Sequence, residues 1–250
     1  MDSLSQSRDT LDTLFQGKLR IYQSRTGYRI SLDPVLLAQF ISLQEVDTVM
    51  DLGTGNGVLP LILAFMYPSL SITGLEIQTT MAARAVKNVQ LNGFESRVRI
   101  ARVDVCVAPQ HFAPESFDAV ICNPPYRGPG SGRLSPNSER RGARHETLAK
   151  LEDFVRAASY LLRRKGRLAM IYSAGRSVDL LMAMRAHRVE PKRLRMVHSY
   201  AAGEASMVLA EGVKGGNSGI TILAPLVVYD ENKDYTAEVE RMLAGNAMSA

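Results

Sequence analysis

Asp51-Leu52-Gly53-Thr54-Gly55-Asn56-Gly57 decides the fold, because of what flanks it. Asp47-Thr48-Val49-Met50 ahead of it is a short β-rich stretch, and Val58-Leu59-Pro60-Leu61-Ile62-Leu63-Ala64-Phe65-Met66 behind it reads as an apolar helix. Strand, glycine turn and helix in that order are the setting of a nucleotide-binding loop in a parallel α/β sheet. Glycines reach backbone conformations closed to other residues and let a ligand approach the main chain. The spacing is Gly-x-Gly-x-Gly, not Gly-x-Gly-x-x-Gly, and no Gly-Lys-Ser/Thr follows, so a phosphate cradle is disfavoured. Asp51 agrees: a carboxylate at the strand end repels a pyrophosphate but can pair, often through water, with the ammonium of an amino acid.

Three more strand ends carry polar groups in series. Residues 71–77 read as the next strand, and Glu76 lies about 20 residues past the glycine loop, where an acid can accept hydrogen bonds from ribose hydroxyls. Residues 98–105 read as a third strand that includes Asp104, suited to an adenine exocyclic amine, with the Val105 N–H available to a ring nitrogen. Either acid taken alone suits a helix N-cap equally well. The fourth end is Asn123-Pro124-Pro125-Tyr126, after the apolar run Ala119-Val120-Ile121-Cys122. Two prolines stop any ladder or helix and push the residue before each into extended geometry, which holds Asn123 rigidly at the strand's carboxyl end. An Asn oxygen and a neighbouring carbonyl can accept both N–H hydrogens of a planar amine, and a Tyr ring can stack on its face. By itself the tetrapeptide could equally be a proline-rich loop with a capping Asn; the series argues for chemistry.

The series resembles a class I S-adenosylmethionine-dependent methyltransferase, and the tetrapeptide is similar to the signature of enzymes that methylate exocyclic or amide nitrogens. Tyr22-Gln23 and the stretch from Gly27 through Asp33 to Ala38 resemble the N-terminal cofactor-covering segment of the bacterial tRNA1(Val) adenine-37 N6-methyltransferase family. Residues 130–146 are similar to that family's loop after the tetrapeptide. The resemblance implies Asn123, Pro124, Pro125 and Tyr126 as the catalytic set. It implies cofactor contacts from Asp33, Asp51, Gly53, Thr54, Gly55 and Gly57, and further ones from Glu76, Ile77, Asp104, Val105 and Asn123. S-adenosylmethionine is the expected cofactor and RNA, tRNA above all, the expected partner, with neither metal nor membrane involved. Other base amines and protein glutamine remain open as substrates. Relatives acting on glutamine carry an N-terminal helical domain, for which about 20 residues leave little room. A non-catalytic RNA-binding protein is the remaining alternative.

Charge adds a partner signal. The 250 residues carry net charge +5, which permits a polyanion. Arg127, Arg133, Arg140, Arg141 and Arg144 follow the tetrapeptide in a Gly/Ser/Pro-rich stretch, read as a loop whose cations contact RNA phosphates. Arg163-Arg164-Lys165 with Arg167 reads instead as a cationic helix C-terminus before Gly166, and Lys192-Arg193 with Arg195 is a further basic cluster.

The expected fold is α/β, a Rossmann-like class I methyltransferase with a mostly parallel seven-stranded sheet and helices on both faces. It forms one methyltransferase domain over 1–250: an N-terminal cofactor-covering segment 1–45, a catalytic core 46–235, and a tail 245–250 expected to be disordered. Helices are expected over 79–91, with Ala82, Ala83, Ala85, Val86 and Val89 on the apolar face, and over 148–162 and 178–186. Strands are expected over 166–172, with an antiparallel pair at 193–198 and 205–213, a possible edge strand at 219–223 and extended chain at 226–229. Cys106 and Cys122 have no metal spacing, and His111, His187 and His198 are scattered. The polar N-terminus and the lack of cysteine pairs lead to an expectation of a cytoplasmic protein.

Overall fold

The computed structural model describes residues 9–25, 31–125 and 149–245. The chain opens with a hairpin, β1 (Asp9–Leu14) and β2 (Leu19–Ser24), followed by α1 (Asp33–Phe40). Then come β3 (Thr48–Leu52), α2 (Val58–Met66), β4 (Ser71–Leu75), α3 (Thr79–Leu91), β5 (Val98–Ala101) and β6 (Phe117–Cys122). The second half holds α4 (Leu151–Leu161), β7 (Leu162–Ser173), α5 (Ser177–Ala186), β8 (Val189–His198) and β9 (Ala205–Lys214). Two short strands, β10 (Thr221–Ile222) and β11 (Leu226–Val227), precede α6 (Ala237–Leu243).

Strands β5, β4, β3, β6 and β7 lie side by side in that order and run parallel. β9 is antiparallel to both β7 and β8. The seven expected strands are therefore present, and β10 and β11 extend the sheet to nine strands among the described residues by pairing in parallel with β8. Val49, Met50, Leu52, Ala119, Val120, Ile121 and Cys122 are fully buried, as continuous apolar runs must be when both faces of a parallel sheet are covered. One face packs against α1, α2 and α6 through Leu37, Leu61, Ile62 and Val239, and the other against α4 and α5 through Val155, Ala158, Leu161 and Leu180. The Rossmann-like α/β expectation is met.

Several expectations need correction. Residues 163–167 are not a helix end, because α4 stops at Leu161 and β7 begins at once. Arg163 pairs with Asp118, and Arg167 Nη1 lies 3.0 Å from Glu211 Oε1. Gly166 serves close approach: a Cβ there would sit 2.9 Å from the Asp118 carbonyl and 2.8 Å from that of Arg163. Arg193 also reaches Glu211, and Arg195 forms a two-point pair with Glu238 at 2.7 and 2.9 Å. These cations hold the fold together. The buried stripe of α3 is Ala82, Ala85, Asn88 and Val89, while Ala83 and Val86 face solvent. The hairpin β1–β2 and α6 carried no sequence signal that we read. Val239 is fully buried and Met242 nearly so, and the core therefore continues past 235. The tail 246–250 lies outside the described residues. No helix among the described residues is long and apolar enough to cross a membrane.

Candidate active site

From β3 the chain moves outward through β4 to β5, then returns to β6 on the other side of β3. The strand order reverses between β3 and β6, and open α/β sheets bind their ligands outside the carboxyl ends of the strands at such a switch point. Leu52 pairs with Cys122 at the last rung, so the glycine loop and Asn123 leave the sheet side by side. The Cys122 thiol adds a cross-link, donating to the Leu52 carbonyl at 3.3 Å. Parallel pairing thus unites two motifs about 70 residues apart.

The glycine loop needs its glycines. Gly53, Gly55 and Gly57 have φ of 76°, 59° and 83°, in the left-handed region that side chains disfavour. A Cβ on Gly57 would also stand 3.1 Å from that of Ala85 in α3, whereas one on Gly55 would meet nothing within 4 Å. Gly55 is the open side of the loop. Thr54 is tied to β4 by its amide, which donates to the Leu75 carbonyl at 2.7 Å, and its side chain packs where a Cβ on Gly74 would fall.

Asp51 is 2% exposed at this corner. Its Oδ2 and the Thr54 hydroxyl are buried with no hydrogen-bond partner among the described residues. Burial pushes the Asp51 carboxyl up to about 7; the neighbouring Thr54 hydroxyl lessens the effect and the Glu76 charge adds to it. Such a carboxylate is poised for a cation: an ammonium beside it would supply both charge and hydrogen bonds. These residues fit the amino-acid end of S-adenosylmethionine.

Glu76 follows β4 and is 6% exposed. It accepts from the Gly55 amide at 2.9 Å and from the Gln78 amide at 2.8 Å. It therefore braces the glycine loop, and each oxygen keeps a second lone pair for a hydroxyl. Ile77 beside it is 41% exposed, an apolar side chain just past the end of β4. β5 ends at Ala101, so Asp104 stands three residues beyond the strand and not within it. It caps a short 3₁₀ turn, accepting from the Cys106 amide at 2.9 Å, and Val105 is the first residue of that turn. The capping role open to Asp104 is the one observed.

Asn123 is partly exposed, Pro124 buried and Pro125 exposed, immediately past β6. Asp33 is the first residue of α1. Tyr126 and the cations Arg127, Arg133, Arg140, Arg141 and Arg144 lie outside the described residues. No group of three or more His, Cys, Asp or Glu among the described residues could hold a metal ion. One residue of this corner escaped the sequence reading. Asn88 of α3, fully buried, donates to the Asn56 carbonyl of the glycine loop at 2.9 Å. The available signal was the polar repeat Arg84, Asn88, Asn92 at helical spacing.

The fold and the site define a Rossmann-like class I methyltransferase. The sequence matches the methyltransferase small domain over residues 31–191. A tRNA1(Val) (adenine(37)-N6)-methyltransferase of Porphyromonas gingivalis is 30% identical over 76% of this chain and 76% of its own. One of the same name from Dickeya chrysanthemi is 26% identical over 89% of this chain and 88% of its own. Among solved structures, a predicted O-methyltransferase from Agrobacterium tumefaciens superposes with a TM-score of 0.72. It is 24% identical over 87% of this chain and 98% of its own, a likeness of fold. The chain belongs to the family of tRNA1(Val) (adenine(37)-N6)-methyltransferases, built on the methyltransferase small domain.

Proposed function

We propose that this protein transfers a methyl group from S-adenosylmethionine to N6 of an adenine in tRNA, at position 37 of the anticodon loop as in the names of its relatives. The observation that carries the reading is the corner where β3 and β6 end. There a buried carboxylate, one of whose oxygens has no hydrogen-bond partner among the described residues, lies on the strand next to that of an asparagine followed by two prolines.

In this reading Asp51 and Thr54 take the ammonium of the cofactor, and Gly53, Gly55 and Gly57 keep the main chain open to it. Glu76 accepts from ribose hydroxyls, Asp104 and the Val105 amide meet the adenine, and Asp33 and Ile77 complete the enclosure. The cofactor supplies an electrophilic methyl on a positively charged sulfur. An adenine N6 lone pair is delocalised into the ring and is a poor nucleophile until the amine pyramidalises. The Asn123 oxygen and the Pro124 carbonyl accept its two N–H hydrogens, which aims the lone pair and stabilises the positive charge that develops on nitrogen. Orientation of the two reactants does most of the rest, so a strong general base is unnecessary. Tyr126 receives the face of the base, which an unpaired loop presents at low cost. Arg127, Arg133, Arg140, Arg141 and Arg144 contact the phosphates on either side.

Radiolabelled methyl transfer onto separated tRNA and protein fractions tests this reading, followed by nucleoside mass spectrometry of tRNA from a deletion strain and its parent. Label recovered as N6-methyladenosine in tRNA, absent from the deletion strain, is the expected result. Label confined to protein glutamine, or to another base, would overturn it.

A further inference from the structure

α3 presents a polar stripe to the N-terminal hairpin that behaves like an extra strand. The Tyr22 amide donates to Asn88 Oδ1 at 2.7 Å, and Asn88 Nδ2 donates to the Tyr22 carbonyl at 3.1 Å. One turn on, the Arg20 amide donates to Asn92 Oδ1 at 3.0 Å, and Asn92 Nδ2 donates to the Arg20 carbonyl at 2.7 Å. One turn back, Arg84 pairs with Asp9 of β1 at 2.9 Å. Lys87 Nζ lies 3.7 Å from the centre of the Tyr22 ring. Two side-chain amides thus pair with β2 at alternate residues, as a neighbouring strand would.

Asn88 differs from Asn92 in one contact. The second hydrogen of its amide goes to the Asn56 carbonyl, in the middle of the glycine loop. The three partners leave one orientation of the amide: the oxygen must face the Tyr22 N–H and the nitrogen the two carbonyls. Because the side chain is fully buried, a carbonyl that turned away would strand a donor in the core. The angle of the Asn56 peptide and the seat of β2 are therefore set by the same planar group. On the other side of the loop, the Gly55 amide is held by Glu76.

We propose that Asn88 is a positioning residue that couples the hairpin β1–β2 to the glycine loop, so that cofactor binding and hairpin docking reinforce each other. This rests on the assignment of residues 53–57 as the S-adenosylmethionine loop. Ligand that fixes the loop fixes the Asn56 carbonyl, that carbonyl fixes the Asn88 amide, and the amide holds β2 at Tyr22. Coupling of this kind is reciprocal: a hairpin pulled from α3 weakens the cofactor by the factor that the cofactor tightens the hairpin.

Hydrogen exchange of the full chain, with and without S-adenosylhomocysteine, tests the proposal. In the wild type, ligand is expected to slow exchange over residues 19–24 together with 53–57. Asn88→Ala should bind the ligand about tenfold more weakly, as loss of a buried hydrogen bond implies, with kcat at saturation little changed and no ligand response in the hairpin. Asn92→Ala loosens the hairpin and frees the Asn88 backbone carbonyl, but leaves the Asn88 side-chain contact with the loop in place, and should keep both the affinity, within about twofold, and the response at Tyr22. Should Asn88→Ala fail to fold, the wild type and Asn92→Ala still decide. A wild-type hairpin that ignores bound ligand overturns the coupling, as does a coupled response that survives in Asn88→Ala. Failure of the wild type to bind S-adenosylhomocysteine at all would instead overturn the cofactor assignment.

Discussion

Replacing Asp51 by Asn should make the ligand-free protein more stable in alkali and nearly unable to hold its cofactor. The carboxyl is raised from 3.8 to about 7 by burial above all. The folded chain therefore holds this proton more tightly than the unfolded chain does. The stability the proton confers is complete below pH 3.8, is lost as pH rises towards 7, and stays lost above it. Across that window the loss is on the order of 4 kcal/mol. Asn removes the buried charge but keeps a polar group that lacks a partner, which returns roughly 1–3 kcal/mol of the gain. The net effect at pH 8.5 is a stabilisation of about 1–3 kcal/mol, or a rise in Tm of roughly 3–10 °C for a chain of this size. At pH 5 only about a third of that loss has accrued, roughly 1–2 kcal/mol, which the poorly paired Asn offsets, so the two melting curves should nearly coincide. Calorimetry of ligand-free protein at the two pH values measures the difference. The same variant should bind S-adenosylhomocysteine at least tenfold more weakly, since the partner of its ammonium is gone. A variant less stable than wild type at pH 8.5, or a Tm difference independent of pH, would refute the argument that Asp51 is a buried charge awaiting a cation.

Asn123→Ala should leave cofactor affinity nearly intact and lower kcat by about 100-fold or more, because it removes an acceptor used as charge develops on nitrogen; near-normal turnover in single-turnover assays would reduce Asn123 to a cap. Replacing Arg140, Arg141 and Arg144 with Ala should weaken tRNA binding and flatten its salt dependence by up to about three counterions, with cofactor affinity unchanged by calorimetry. Glu211 is fully buried, faces Arg167 and Arg193, and accepts from the Ser42 amide at 2.7 Å. Glu211→Ala should therefore cost about 3 kcal/mol in denaturant titrations, with the midpoint moving and the slope unchanged.

The sequence sufficed wherever the controlling physics is local. Positive φ at Gly53, Gly55 and Gly57 follows from the turn that must join β3 to α2, and the rigid exit of Asn123 follows from two prolines that cannot donate. The apolar run Ala119–Cys122 announced β6 as a buried strand, and the β-rich stretch ahead of the glycine turn announced β3. The hairpin was illegible for the opposite reason. Residues 9–24 are mostly polar, and the strand β2 is held by Asn88 and Asn92, more than 60 residues further along the chain. The basic clusters at 163–167 and 192–195 misled because charge in a sequence does not show its partner. Asp118, Glu211 and Glu238 reach them only once the sheet has assembled. Asp118 shows how much assembly changes: burial alone would raise its carboxyl, yet the Thr48 hydroxyl, the amides of Thr48 and Asp47, and Arg163 together hold it below the ordinary value. For Asp51 the type and place of the acid could be read from the motif. That it is buried and half protonated near neutrality depends on the packing of β3 between β4 and β6, since desolvation is a property of the packed interior and not of the chain.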